Sequence, residues 1–158
     1  MPTCVTGVDL SIAPQLPFDG AIIHRHNARI RYAVMQSLNG SVRVNRDCVD
    51  IRRLSRHWLD ERGRLDLNFT GSRVPPSTVI DVLLNDPDLI PASIYEEVQD
   101  IIFFGTIFMS PDERKYWLRC LSIGEGGTVS SSFINIREPL RPNLRVALFK
   151  RRQYCKFK

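Results

Sequence analysis

"IIFFGTIFMSPDERKYWLRCLSI" (101–123) is the stretch on which the reading of this chain turns. Its first nine residues carry no charge, and they reach only half the ~18 apolar residues that a membrane-spanning helix needs. A buried strand suits them better. Ser110-Pro111-Asp112-Glu113 then sets proline at the second position of a turn, so the run folds back as a hairpin onto "KYWLRCLSI" (115–123).

Toward the N-terminus the spacing changes. "ASIYEEVQDII" (92–102) places Ile94, Val98, Ile101 and Ile102 on one side of a helix, with Glu96, Glu97 and Asp100 toward water. This helical pattern overlaps the strand-like run at Ile101 and Ile102. "TVIDVLL" (78–84) predicts a second helix, capped by Ser77 or Thr78 and favoured by Asp81 in its first turn. "NDPDLIP" (85–91) connects the two. In "DIRRLSRHWLDERGRLDLNF" (50–69), Ile51, Leu54, Trp58 and Leu59 fit helical spacing, Gly63 closes a turn, and Leu65, Leu67 and Phe69 alternate as a strand.

"ARIRYAVMQSLNGSVRVN" (28–45) reads as a β-hairpin turning at Asn39-Gly40. A two-residue turn would set the apolar even-numbered positions of one strand against Ser41, Arg43 and Asn45. A three-residue loop, 38–40, instead brings Val34 opposite Val44 and keeps the even positions on one face. The three-residue loop is preferred, and it gathers Arg29, Arg31 and Arg43 on the opposite face. Residues 1–20, with Pro2, Pro14 and Pro17, read as an irregular N-terminal arm.

On the C-terminal side, "GEGG" (124–127) reverses the chain. "TVSSSFINI" (128–136) and "NLRVALFKRRQYCKF" (143–157), separated by "REPLRPN" (137–143), complete a β-meander. The expectation is an α+β fold in a single domain, residues 21–158: an N-terminal β-hairpin, short central helices, a C-terminal antiparallel β-meander, and a basic tail at 145–158.

Hydrophobic residues make up 43% and charged residues 25% of the 158, which is the balance of a globular chain. No basic start followed by an apolar run marks a signal peptide, and a cytoplasmic, intracellular setting is expected. Cys4, Cys48, Cys120 and Cys155 are scattered with no C-x-x-C pair, which fits reduced thiols. Cys155 stands where a prenylation box would begin, but Lys156, Phe157 and Lys158 do not fit one.

The net charge of +5 conceals a segregated pattern. Residues 1–23 carry −2, residues 24–64 carry +6, residues 65–144 carry −5, and residues 145–158 carry +6. Of the 22 basic residues 18 are Arg, whose planar fork matches phosphate and carboxylate better than the lysine point charge. The basic stretches "HRHNARIR" (24–31) and "RRLSR" (52–56), together with the tail, can follow a phosphate backbone, and nearby Tyr and Phe can stack on bases. Phosphate contact is therefore expected of Arg29, Arg31 and Arg43 on the hairpin and of Lys150, Arg151, Arg152 and Lys156 on the tail. Tyr154 or Phe157 would stack or wedge. No zinc finger, RNP pair or GXXG clamp is present, so the recognition would follow the backbone rather than the base sequence.

Other chemistry is weaker in the residues. His24 and His26 project the same way on a strand and could join His57 or Cys48 around zinc, yet no ligand pair stands at a recognised spacing and Arg25 sits between them. The glycines of 124–127 lack the "GK[ST]" of a phosphate loop. No catalytic residue, metal or cofactor is expected.

The run "VQDIIFFGTIFMSPDERKYWLRCLSI" (98–123), in a short basic chain with no enzyme motif, resembles the matrix proteins of non-segmented negative-strand RNA viruses, in particular the compact bornavirus-like and rhabdovirus-like ones. The resemblance implies a viral structural protein of the virion. Such a protein self-assembles as a homo-oligomer under an acidic membrane surface, contacts RNA or nucleocapsid, and performs no catalysis. Two alternatives are a partner-directed interaction module that docks an acidic protein, and a small enzyme dependent on Cys48, His57 or the "HRH" pair.

Overall fold

The computed structural model describes residues 5–8, 14–26, 32–36, 42–44, 47–54, 58–67, 74–112 and 114–149. Among these residues nine strands form one sheet: β1 (Val5–Val8), β2 (Ile22–His26), β3 (Tyr32–Gln36), β4 (Val42–Val44), β5 (Asp47–Arg53), β6 (Gln99–Met109), β7 (Tyr116–Ile123), β8 (Val129–Asn135) and β9 (Leu144–Phe149). Their order is β1-β3-β4-β5-β9-β6-β7-β8, with β2 also against β6. The one α-helix among the described residues, α1 (Thr78–Asn85), completes an α+β single domain. Among the described residues no helix is long and apolar enough to cross a membrane.

β6 organises the molecule. One edge of it runs antiparallel to β7, and the other is shared by β9, parallel at Asp100–Ile102, and β2, antiparallel at Thr106–Met109. A strand with three neighbours and two covered faces needs a continuous apolar run, which 101–109 supplies. Ile101 and Phe103 face one core, with Leu121, Ile123 and Ala147 of the sheet and Val79, Ile80 and Leu83 of α1. Ile102 and Phe104 face the other, with Leu118, Ile134 and Val146 beneath Trp58, Leu65 and Val74. The sheet is thus covered by α1 on one side and by Trp58, Leu65 and Val74 on the other, where Trp58 stacks on Phe104 at 5.5 Å.

The pairing of β6 with β7 shifts between Phe103 and Phe108. Gly105 lies in that interval and donates its N–H to the Pro75 carbonyl at 3.0 Å. A Cβ there would stand 2.5 Å from the Pro75 carbonyl group, so the close approach requires glycine.

The hairpin of β3 and β4 has the register expected from the three-residue loop, Val34 opposite Val44. The 110–115 turn closes by Ser110 N–H to Lys115 O at 2.9 Å, and the 124–127 reversal carries Gly126 and Gly127 at φ 74° and 76°. Four expectations are corrected. The helix over 92–102 is only a 3-10 turn, Ala92–Glu96, and β6 already begins at Gln99, leaving Val98 51% exposed. Apolar residues buried on alternating faces outweigh a one-sided helical spacing that the same isoleucines also satisfy. Ile51 lies in β5 rather than in a helix, because β5 pairs along its length with β9, whose Ala147 is fully buried. Trp58 and Leu59 belong to a tight reversal in which Leu59 bridges Leu65, Gly63 N–H reaches Asp60 O, and Asp60 Oδ1 accepts from Arg62 and Arg64 N–H. Val5–Val8, inside the arm expected to be irregular, pairs with β3.

The meander is the fourth. β6, β7 and β8 form it as expected, but β9 leaves it and crosses to the far edge of β6. Val146 and Ala147 have no exposed surface, so β9 can satisfy its sequence only between two neighbours, not at an edge. Arg141 fastens the crossing chain, donating to Ser132 Oγ at 2.8 Å and to the Phe133 carbonyl at 3.3 Å, with Asp100 Oδ1 at 3.7 Å.

Candidate anion-binding cleft

The insertion of β9 beside β5 joins the two basic parts of the sequence. β5 belongs to the +6 segment 24–64 and β9 opens the +6 segment 145–158, yet they are adjacent strands, with Arg53 directly opposite Arg145. Like charges facing each other across a ladder cost stability unless something neutralises them. Glu97 does so in part: Arg145 Nη2 donates to Glu97 Oε2 at 2.6 Å. The two partners differ in burial, the Arg145 side chain being 18% and the Glu97 side chain 58% exposed. Arg145 Nε is buried and has no partner.

Around this pair lie two cavities that share Glu97 and Arg145. One, of about 480 Å³, is lined by Arg53, Leu54, Glu97, Asn143, Leu144 and Arg145. The other, of about 320 Å³, lies beyond the pair against Val49, Ile51, Pro91, Ile94 and Glu96. Asn143 sits at φ 55°, a left-handed conformation, and its side-chain amide donates to Val98 O at 3.2 Å. This fixes the entry of β9 where the larger cavity opens. Chemically, the larger cavity presents two guanidinium groups against one exposed carboxylate.

Of the residues expected to contact an anion, Arg29, Arg31, Lys150, Arg151, Arg152, Tyr154, Lys156 and Phe157 lie outside the described residues. Arg43 is in β4, opposite Met35 of β3 and Cys48 of β5. β9 ends at Phe149 opposite Val49, one position from Cys48. The root of the basic tail and the Arg43 backbone are therefore two strands apart on one sheet, about 10 Å. Arg53 and Arg145 were not singled out from the sequence. Arg53 falls in the basic stretch "RRLSR" and Arg145 opens the basic tail, but only the register of β5 against β9 brings the two together.

Other polar clusters have structural work. Arg119, 1% exposed, donates to Asp81 Oδ1 at 2.7 Å, Gln15 Oε1 at 3.0 Å and Ser131 Oγ at 3.1 Å, joining α1, β7, β8 and the segment before β2. Ser122 Oγ donates to Asp100 Oδ1 at 2.6 Å. Burial first, then the nearby Asp100 carboxylate, pushes the Cys120 thiol far above its usual range, against a smaller opposing pull from Arg141, so it stays protonated and unreactive. His24 packs edge-on against Tyr116, and His26 Nδ1 lies 2.8 Å from Thr106 Oγ1. Among the described residues no three His, Cys, Asp or Glu are grouped to hold a metal ion, and His57 lies outside them.

No protein-family model, curated protein or solved structure matches the chain. The functional reading therefore rests on the cleft and the charge map.

Proposed function

We propose that this is a non-catalytic, self-associating binding protein that contacts RNA or nucleocapsid, and secondarily an acidic membrane surface, through arginine-rich strands. A viral matrix-like role is its most specific form. The observation that carries the reading is the pairing of β5 with β9, which sets Arg53 directly opposite Arg145, two arginines from basic segments that are far apart in sequence. Charge concentrated in this way releases counterions from a polyanion on binding, and it supplies affinity without base-specific contacts. Self-association is supported by the exposed Leu16, Phe18, Ile22 and Ile23 in and before β2, a group of large apolar side chains at the surface.

Light scattering of the purified chain with and without single-stranded RNA tests both halves. The expected result is assembly that RNA enhances, the RNA-driven part of which salt reverses. Replacing Lys150, Arg151 and Arg152 together by Ala should weaken RNA binding and flatten its salt dependence by about 2 units of log–log slope. Binding to acidic vesicles with no binding to RNA would transfer the reading to the membrane surface. Binding to neither, with salt-sensitive capture of an acidic protein, would replace it by the interaction module.

A further inference from the structure

Resting on that reading, we propose that the larger cavity is a subsite for one phosphodiester group of single-stranded nucleic acid. Arg53 and Arg145 clamp the group, and Glu97 is a built-in competitor that holds the place until the phosphate arrives.

Three independent features converge. First, the register forces Arg53 and Arg145 onto directly opposite positions of neighbouring strands, an arrangement that an anion between them would relieve. Second, the cavity of about 480 Å³ that both line offers room for a phosphate and part of its sugar. Third, Glu97 accepts from only one nitrogen of the Arg145 guanidinium, Nη2. A phosphate has more acceptor positions than a carboxylate, and it can bridge two guanidinium groups that Glu97 alone does not satisfy.

The exchange is favoured because Glu97 is the exposed member of its pair. Its carboxylate returns to water at little cost, whereas Arg145 cannot leave the fold, since Leu144, Val146 and Ala147 on either side are buried. Glu97 also stands between a 3-10 turn and exposed Val98, in a connector with no ladder pairing of its own. The recess decides between anionic partners. An arginine largely covered by the fold is reached by a phosphate on a flexible chain, not by the plane of a bilayer.

The test is fluorescence anisotropy of the full chain with a labelled single-stranded RNA, across a series of salt concentrations. Arg53 is exposed and Glu97 more than half exposed, so Arg53→Gln and Glu97→Gln should both fold, and thermal melting verifies this. Glu97→Gln is expected to tighten RNA binding about threefold to fivefold, the factor withheld by an exposed ion pair. Arg53→Gln is expected to weaken binding and reduce the log–log salt slope by about 0.7, the value of one single-strand phosphate contact. RNA binding that neither substitution alters overturns the subsite and leaves the general reading intact. Tightening by Glu97→Gln of acidic vesicles but not RNA overturns the choice of a nucleic-acid phosphate. Absence of RNA binding by the unaltered chain at 50 mM salt (about the low end of the range where such contacts are strong) overturns both.

Discussion

Asp81 and Arg119 pose a question of magnitude at the scale of single residues. Arg119 is sealed inside the fold, while Asp81, on α1, is 41% exposed. A buried guanidinium costs several kcal/mol of desolvation, which its partners must return, and such pairs often do no better than apolar substitutes. Removing the acid alone is therefore worse than removing the base. Asp81→Ala leaves the charge with only Gln15 and Ser131 as acceptors, an expected loss of ~1–3 kcal/mol, the upper figures being discounted for the solvent that screens Asp81. Arg119→Met fills similar volume without a charge and strands an acid that already meets water, so it is expected to cost less, about 1 kcal/mol or below. Urea midpoints for the two variants measure the order. A greater loss for Arg119→Met would show that the pair is a net source of stability.

At the scale of elements, α1 shows where a sequence rule and the fold part company. Ser77 stands at the N-cap, the position where a serine hydroxyl usually bonds the first turn, yet its Oγ makes no such bond and is buried without a partner. Thr106 of β6 bonds this end of the helix instead, its Oγ1 accepting from Ser77 N–H at 2.9 Å. Ser77→Ala is accordingly expected to be neutral or stabilising, against the ~1 kcal/mol normally lost with a serine cap. Thr106→Val removes the acceptor for Ser77 N–H and the contact with His26, and is expected to cost ~1–3 kcal/mol. Thermal melts of the two decide the matter: a destabilised Ser77→Ala would mean that the hydroxyl does cap the helix. Features of this local kind were legible where neighbours in sequence are neighbours in space. The 34–44 register, the proline turn at 110–115 and the existence of α1 followed from turn chemistry and spacing. The misread elements all depend on distant partners. Ile51 and Ile101 fit a helix or a strand equally well by spacing, and only β9 and the second core decide between them. The cleft was hidden for the same reason, since Arg53 and Arg145 lie 92 positions apart in the chain and meet only because β9 crosses over.

At the scale of the whole molecule, the separation of core from charge makes a truncation informative. Both hydrophobic cores are built from residues no later than Val146 and Ala147, with Leu148 and Phe149 packed at their margins, and β9 ends at Phe149. Residues 150–158 contribute Lys150, Arg151, Arg152, Lys156 and Lys158, so a chain ending at Phe149 falls from a net charge of +5 to 0. Its urea midpoint is expected to match that of the full chain, because none of the core contacts named above is removed. Its affinity for single-stranded RNA should drop, with the log–log salt slope reduced by up to about 3.5, five cations each accounting for ~0.7. The Arg53–Arg145 cleft stays in place, so a residual, shallower salt dependence is expected, and Arg53→Gln in the shortened chain should lower it further. Charge near zero also removes the repulsion that keeps monomers apart, so the shortened chain should self-associate at lower salt than the full one. A slope equal to that of the full chain would show that the tail stands off from the nucleic acid, and would leave the strand-borne arginines alone to carry the contact.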